Sequence, residues 1–280
     1  MTLQIEKSGK TDQENLANLI SWFRQFQSCA VAFSAGVDSS LLAYCAKRAL
    51  ADKAYAVTAL SPSFPEAEKN AAREVAREIG IELIEVVQDD LGTPEYVANG
   101  VSRCYFCRNN LAQAIQPIRD RKSIAVCVDG THVDDMKTPR PGIKALREAR
   151  FRAPYVELGL GKDSIRIIAK LAGLSNWERP SEACLSSRVA FGQKIDLETL
   201  RRIENAESVV KFITGATIVR VRTIGISANV EVDKSTLSTA FERAEKITQA
   251  LKDMGYDSVN VDPDGYTSGK MLDLFVKENT

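Results

Sequence analysis

The stretch CAVAFSAGVDSSLLAYCAKRAL (residues 29–50) sets a short apolar run against a cluster of small and hydroxyl-bearing residues, and that cluster against an amphipathic segment. Residues 29–33 have the composition of a buried strand, and a helix starts directly after Ser34-Ala35-Gly36-Val37-Asp38-Ser39-Ser40. A strand-to-helix turn of this kind points backbone N–H groups outward at the positive end of a helix, which suits a phosphate or pyrophosphate. Gly36 permits close backbone approach, and Ser34, Ser39 and Ser40 add hydroxyl donors. Asp38 would repel a bare phosphate but suits a magnesium ion. The competing reading is an ordinary helix start with a Ser or Asp cap.

Outward from this turn, residues 54–60, 81–87 and 124–129 are further short β-prone runs. The segment between the second and third, EAEKNAAREVAREIG, repeats apolar positions at Ala67, Ala71, Val75 and Ile79, with Gly80 placed to end the helix. NNLAQAIQPI predicts a helix before the fourth run. Strands alternating with helices give an α/β fold, an open parallel sheet with helices on both faces. Past about residue 190 the pattern becomes α-β-β-α-β. An amphipathic helix runs through Leu200, Ile203, Val210 and Ile213, followed by the strands TIVRVRTI and ANVEVD. A second helix carries Leu237, Phe241, Ala244, Ile247 and Leu251, is stopped by Gly255, and leads into YDSVNVD. The expected organisation is therefore a nucleotide-type domain over 1–190 and a small α+β domain over 191–280.

The chain has 37 basic and 37 acidic residues, so its overall charge does not mark it as a nucleic-acid or anionic-membrane binder. No stretch approaches the roughly 18 unbroken apolar residues of a membrane span, and the N-terminus lacks a signal-peptide core. The expected location is the cytoplasm, where six cysteines stay reduced. Cys29, Cys45 and Cys127 lie in apolar runs and read as small core hydrophobes. Cys104 and Cys107 form a CxxC just ahead of the helix predicted over NNLAQAIQPI, a spacing shared by zinc, redox and iron-sulfur sites. Cys184 follows a proline-bounded turn between Arg179 and Arg188, positive charges that can stabilise a thiolate; an inert buried thiol is the competing reading. The single histidine, His132, excludes any mechanism that needs a histidine pair.

The turn at 34–40 is neither GxxxxGK[ST] nor GxGxxG. It matches SxGxDS, and the chain resembles the PP-loop ATP pyrophosphatase family. That resemblance implies cleavage of ATP to AMP and pyrophosphate by adenylation of a substrate. The nucleotide would sit on Ser34, Gly36, Asp38, Ser39 and Ser40, with the adenosine near Leu60 at the next strand end. The family usually carries SGGxDS, so Ala35 replaces its first glycine. No glutaminase domain or ammonia source is visible, and the thiols point to sulfur as the nucleophile.

Asp129, Asp134 and Asp135 in an Asp-rich turn, then Arg140, Arg147 and Arg152, and the closing PxxxCLxSR through Cys184 and Arg188 resemble the LarE family of sulfurtransferases. The similarity runs through RCYFC and into VRVRTIGISANVEVD; His132 stands where the family usually has asparagine. It implies adenylation of a carboxylate of a pyridinium dicarboxylate mononucleotide, then conversion to a thiocarboxylate for the nickel-pincer nucleotide of lactate racemase. Asp38 would hold magnesium, and Cys184 would be the catalytic sulfur residue. Arg188, Arg220, Arg222 and Glu231 would bind substrate. Arg220 and Arg222 alternate along one strand and so share a face, although an ion-pair ladder with Glu231 and Asp233 fits the same spacing. Two sulfur routes exist in the family. Cys184 can give up its own sulfur and become dehydroalanine, or Cys104, Cys107 and Cys184 can hold a [4Fe-4S] cluster that delivers sulfide repeatedly. A Cys₃His zinc site completed by His132 competes with the cluster. A tRNA thiolase and a non-catalytic adenine-nucleotide-binding protein are the alternative functions. The expected partners are the mononucleotide, a sulfide source and further copies of the chain.

Overall fold

The computed structural model describes residues 11–137, 140–180 and 182–267. The N-terminal stretch 1–10 and Ser181 of the proline-bounded turn lie outside the described residues. In chain order come α1 (Asp12–Arg24), β1 (Cys29–Ala32), α2 (Val37–Leu50), β2 (Ala54–Leu60), α3 (Glu66–Ile79), β3 (Glu82–Val87), α4 (Pro94–Val97), α5 (Arg103–Arg121) and β4 (Val126–Val128). They are followed by α6 (Pro141–Glu148), α7 (Pro154–Glu157), α8 (Lys162–Leu171), α9 (Leu197–Thr214), β5 (Val219–Ile224), β6 (Ser227–Val232), α10 (Leu237–Glu242), α11 (Ala244–Lys252) and β7 (Ser258–Val261). The described residues divide into two compact units. The first comprises residues up to 60, 66–88 and 107–182; the second comprises 61–65, 89–106 and 183 onward. Residues 61–65 and 89–106 thus group with the C-terminal part.

The first unit holds a four-stranded, fully parallel sheet in the order β3-β2-β1-β4. Residues alternate between two apolar layers, as the period of two along a strand requires. Cys29, Val31, Val126 and Val128 pack with residues of α1, α2, α3 and α8, while Ala30, Val57 and Cys127 pack with residues of α5 and α6. Val31, Leu41, Leu42, Ile165 and Ile168 are fully buried, and each such side chain contributes roughly 1.5–3 kcal/mol. Gly80 ends α3 with a φ of +72°. Of the expected face of α3, Val75 is buried and Ala71 and Ile79 pack against the core, joined by buried Ala72 and Ala76, whereas Ala67 is exposed.

Helix α5 starts at Arg103 and carries Pro117 inside it. The CxxC therefore lies in the helix rather than ahead of it, with Cys104 and Cys107 one turn apart on neighbouring positions of one face. Cys29, Cys45 and Cys127 are buried as expected.

The second unit holds a three-stranded sheet, β5-β6-β7, with β5/β6 antiparallel and β6/β7 parallel. Val219, Val221, Val230, Val232 and Val261 pack with Ala206, Val210 and Ile213 of α9 and with Ile247 and Leu251 of α11. Asp196 caps α9 by accepting from the Thr199 amide at 2.7 Å, and Gly215 ends it with a φ of +73°. The helix expected through Leu237–Leu251 breaks at Arg243, between α10 and α11, and leaves Phe241 exposed. Among the described residues no helix is long and apolar enough to cross a membrane.

Candidate active site

All four strands of the first sheet run the same way, so Leu60, the turn after β1 and Asp129 lie along one edge. β1 and β4 are neighbours whose following helices, α2 and α6, pack in opposite layers. Such a switch point opens a crevice at the carboxyl ends of the strands. Gly130 lies against α2 there: a Cβ on it would stand 3.0 Å from the Asp38 Cβ. Leu60, half-buried, accepts the Gln88 amide through its carbonyl at 3.2 Å.

Gly36 is the N-cap of α2, in an extended conformation and without any side-chain cap. The Ser or Asp cap of the competing sequence reading is not formed, so the first-turn amides keep no side-chain acceptor. The hydroxyls work within the loop instead. Ser39 Oγ accepts the Ser34 amide at 3.2 Å and donates to the Gly36 carbonyl at 3.1 Å, and the Ser34 and Ser39 hydroxyls are 3.4 Å apart. Ser40 is fully buried, and its Oγ accepts from Asn176 Nδ2 at 2.8 Å. The loop residue with a positive φ is not Gly36 but Ala35, at +57°.

Both Asp38 carboxylate oxygens accept from Lys162 Nζ, at 2.7 and 2.6 Å. The Asp38 carbonyl accepts from the Tyr155 hydroxyl at 2.7 Å; burial pushes that phenol well up. Lys162 is the first residue of α8, and its amide donates to Asp134 Oδ2 at 2.8 Å. Sequence reading missed Lys162, although a lysine opening a helix is disfavoured by the dipole and marks a residue kept for another purpose. Asp129 accepts the Thr131 amide at 2.8 Å, and burial raises its pKa despite that bond. His132 is buried, with its ring nitrogens 3.7 Å from Asp134 and 3.4 Å from Asp135. Arg140 pairs with Asp135 at 2.7 Å, Arg152 pairs with Glu157, and Arg147 donates to the Met136 sulfur.

All six cysteines are free thiols. Burial pushes Cys29 and Cys45 well up and Cys127 up to about 11. Cys104 is exposed and Cys107 and Cys184 are half-buried, which separates these three from the core thiols. Gln88 Nε2 donates to the Cys107 carbonyl at 3.0 Å and lies 3.6 Å from its sulfur. Among the described residues no group of three His, Cys, Asp or Glu side chains is poised to hold a metal ion. Cys104, Cys107 and Cys184 are free thiols outside the core, the kind of ligand an iron-sulfur cluster takes. Asp38 likewise offers the hard oxygens that magnesium takes.

The cation facing the cysteines is one that sequence reading missed. Arg103 is buried and donates to Asn99 Oδ1 at 2.6 Å and the Ser186 carbonyl at 2.8 Å. Burial opposes its charge, but the Cys184 and Cys104 sulfurs favour it, and the net shift is upward. No carboxylate pairs with it among the described residues. The positions flanking Cys184 serve otherwise. Arg179 pairs with Glu68, and Arg188 is 1% exposed with Nε and Nη2 donating to Glu207 at 2.8 and 3.0 Å. Arg188 Nη1 donates to the Ala183 and Cys184 carbonyls. Nearby, the Tyr96 hydroxyl meets Ser186 Oγ at 2.5 Å, and Leu185 donates its amide to the Ser63 carbonyl at 2.9 Å.

Arg220 and Arg222 do share a face, opposite the apolar layer of β5, and are buried with Glu231. Arg222 binds Glu231 through Nε at 3.2 Å and Nη2 at 3.0 Å, and donates from Nη1 to the Ser187 carbonyl at 3.0 Å. Arg220 donates to the Val219 carbonyl at 2.8 Å and lies 5.2 Å from the Tyr266 ring. Asp233 does not join them: it accepts the Thr217 and Ile218 amides in a turn.

The asparagine synthase family matches residues 22–97, which hold β1, the phosphate loop and the next two strands. An uncharacterized protein of Synechocystis is 34% identical over 95% of this chain and 99% of its own length. The pyridinium-3,5-bisthiocarboxylic acid mononucleotide synthase of Lactiplantibacillus plantarum is 28% identical over 93% of this chain and 95% of its own. An uncharacterized protein of Methanocaldococcus jannaschii is 28% identical over 85% and 90%. The chain belongs to the LarE family of PP-loop ATP pyrophosphatases. It is an ATP-dependent sulfurtransferase, of a family that serves nickel-pincer cofactor synthesis.

Proposed function

We propose that the chain adenylates a carboxylate of a pyridinium dicarboxylate mononucleotide and converts it to a thiocarboxylate for the nickel-pincer nucleotide. The observation that carries this reading is the uncapped start of α2 beneath the Ser34–Ser40 turn, with Asp38 beside it. In this reading the loop amides and the Ser34 and Ser39 hydroxyls receive the pyrophosphate, and Lys162 leaves Asp38 for phosphate oxygens. Asp38 would then be free to hold magnesium, which would supply charge neutralisation for the pyrophosphate. Adenylation needs positioning and charge neutralisation more than a proton shuttle, so a chain with one histidine suffices. Leu60 lies beside the adenosine. Arg220, Arg222 and Glu231 recognise the mononucleotide, while Arg188 holds the backbone of Ala183 and Cys184 in place.

Cys104, Cys107 and Cys184 would hold a [4Fe-4S] cluster, which would supply the sulfide that replaces AMP on the activated carboxylate. Arg103 offsets the negative charge of the Cys184 and Cys104 sulfurs. The test is anaerobic turnover with ATP, magnesium, the mononucleotide and sulfide, followed by intact mass of the protein. Several thiocarboxylates per chain at unchanged mass are expected. Loss of one H₂S after a single turnover would replace the cluster by sacrifice of Cys184. A colourless protein reconstituted only by zinc would also remove the cluster. Retardation of tRNA at physiological salt would redirect the acceptor to RNA.

A further inference from the structure

The left-handed conformation in the phosphate loop falls on an alanine. Ala35 has a φ of +57°, its methyl is fully buried in the apolar layer, and residues with a Cβ resist this region whereas glycine enters it freely. Gly36 does not share the burden. Its φ is −70°, and a Cβ there would meet only Ser34 Oγ, at an ordinary 3.6 Å. Something other than intrinsic preference must hold Ala35 in place.

Asn176 supplies it. This residue follows α8 and is 7% exposed. Its Nδ2 donates to the Ala35 carbonyl and to Ser40 Oγ, both at 2.8 Å, across 141 and 136 positions of sequence. The amide thus pins the loop on both sides of Gly36, once before the helix and once in its first turn. Its orientation is unambiguous, because the reverse would set Oδ1 against the Ala35 carbonyl. Oδ1 itself is buried and has no partner among the described residues. A buried acceptor left unpaired is unfavourable, so the two donor contacts account for the presence of an amide here.

We infer that Asn176 is the positioning residue of the phosphate loop, holding Ala35 in the left-handed conformation that turns the loop amides toward a nucleotide's phosphates. The inference rests on the proposed placement of ATP at this loop, so its test has one readout that does not involve ATP.

That readout is hydrogen exchange of residues 34–40 in the nucleotide-free protein; the other is the KM for ATP in pyrophosphate release. Asn176→Ala is expected to speed exchange in the 34–40 segment and raise the KM about tenfold, with kcat changed less than about twofold. In an Ala35→Gly background the same truncation should raise the KM less than about threefold, because glycine takes the positive φ unaided. Asn176→Asp keeps the shape but sets a carboxylate oxygen against the Ala35 carbonyl, and should be at least as damaging as Asn176→Ala. It also serves if Asn176→Ala does not fold. Unchanged exchange in 34–40, or a KM penalty equal in the alanine and glycine backgrounds, overturns the inference. Faster exchange with an unchanged KM would keep the loop-holding role and overturn the placement of ATP at this loop.

Discussion

Around Asp38, charge is held by a pair that water still reaches: the Lys162 and Asp38 side chains are 24% and 26% exposed. Around Cys184 the cations are buried, and two of them, Arg188 and Arg222, are bound to Glu207 and Glu231 through more than one nitrogen. A pair that water reaches is worth less than a dry one and is more easily opened. Buried pairs cost several kcal/mol to break. The Lys162–Asp38 pair therefore suits a site that must exchange its partners for phosphate and metal, and Arg188–Glu207 suits a fixed frame. Arg103 belongs to neither class, because it is buried without a carboxylate partner among the described residues. A cation kept under that desolvation cost is expected where it meets charge during function.

The sharpest way to break this contrast is to remove one side of the frame. Glu207→Ala should destabilise the protein by about 3–5 kcal/mol, since it strands a buried guanidinium and the Val221 amide, which donates to Glu207 at 3.0 Å. Urea unfolding measures this. A loss below about 1 kcal/mol would show that Arg188 and Glu207 are not a structural unit. Asp38→Asn should do the opposite, with stability changed by less than about 1 kcal/mol and pyrophosphate release falling roughly 10²–10³-fold. Wild-type release rates would remove Asp38 from the nucleotide site.

The same contrast governs what could be read from sequence. The sheet was legible because each strand is a short apolar run bounded by helix signals, and the phosphate loop because its chemistry fits in seven consecutive positions. Loop partners contributed from far along the chain were not legible: Lys162 reaches Asp38 across 124 residues and Asn176 reaches Ala35 across 141. Nor could composition distinguish the arginines. Arg179 and Arg188 flank Cys184 in sequence, yet their guanidiniums bind Glu68 and Glu207, while the cation beside the sulfur comes from the start of α5. The break at Arg243 was missed for a different reason, since apolar periodicity fixes a helix more firmly than it fixes its continuity.

Arg103→Met isolates the third class of cation. It removes a buried, unpaired charge but leaves Asn99 Oδ1 and the Ser186 carbonyl short of a donor, so the two effects offset and stability should change by about 1 kcal/mol or less. Sulfur transfer should fall about tenfold or more, while ATP-dependent pyrophosphate release with substrate continues. Destabilisation as large as that of Glu207→Ala would place Arg103 with the frame instead.

The smallest expected effect concerns Asp129, the buried carboxyl at the end of β4. Its folded pKa is raised, chiefly by burial, so the folded state binds its proton more tightly than the unfolded chain does. This contribution to stability is fully present below the ordinary carboxylate range and is lost as pH rises through the raised value. Asp129→Asn keeps an acceptor for the Thr131 amide and removes the ionisation. The variant should unfold at a slightly higher temperature near pH 7, by up to about 2–4 °C if the gain approaches 1 kcal/mol. Its advantage should shrink on acidification, as the wild-type carboxyl takes up its proton. An advantage that grew toward low pH would mean that the carboxylate is stabilised in the fold, as exposed Asp134 is by Lys137, and would erase the distinction between a buried acid and a solvent-facing one along the same turn.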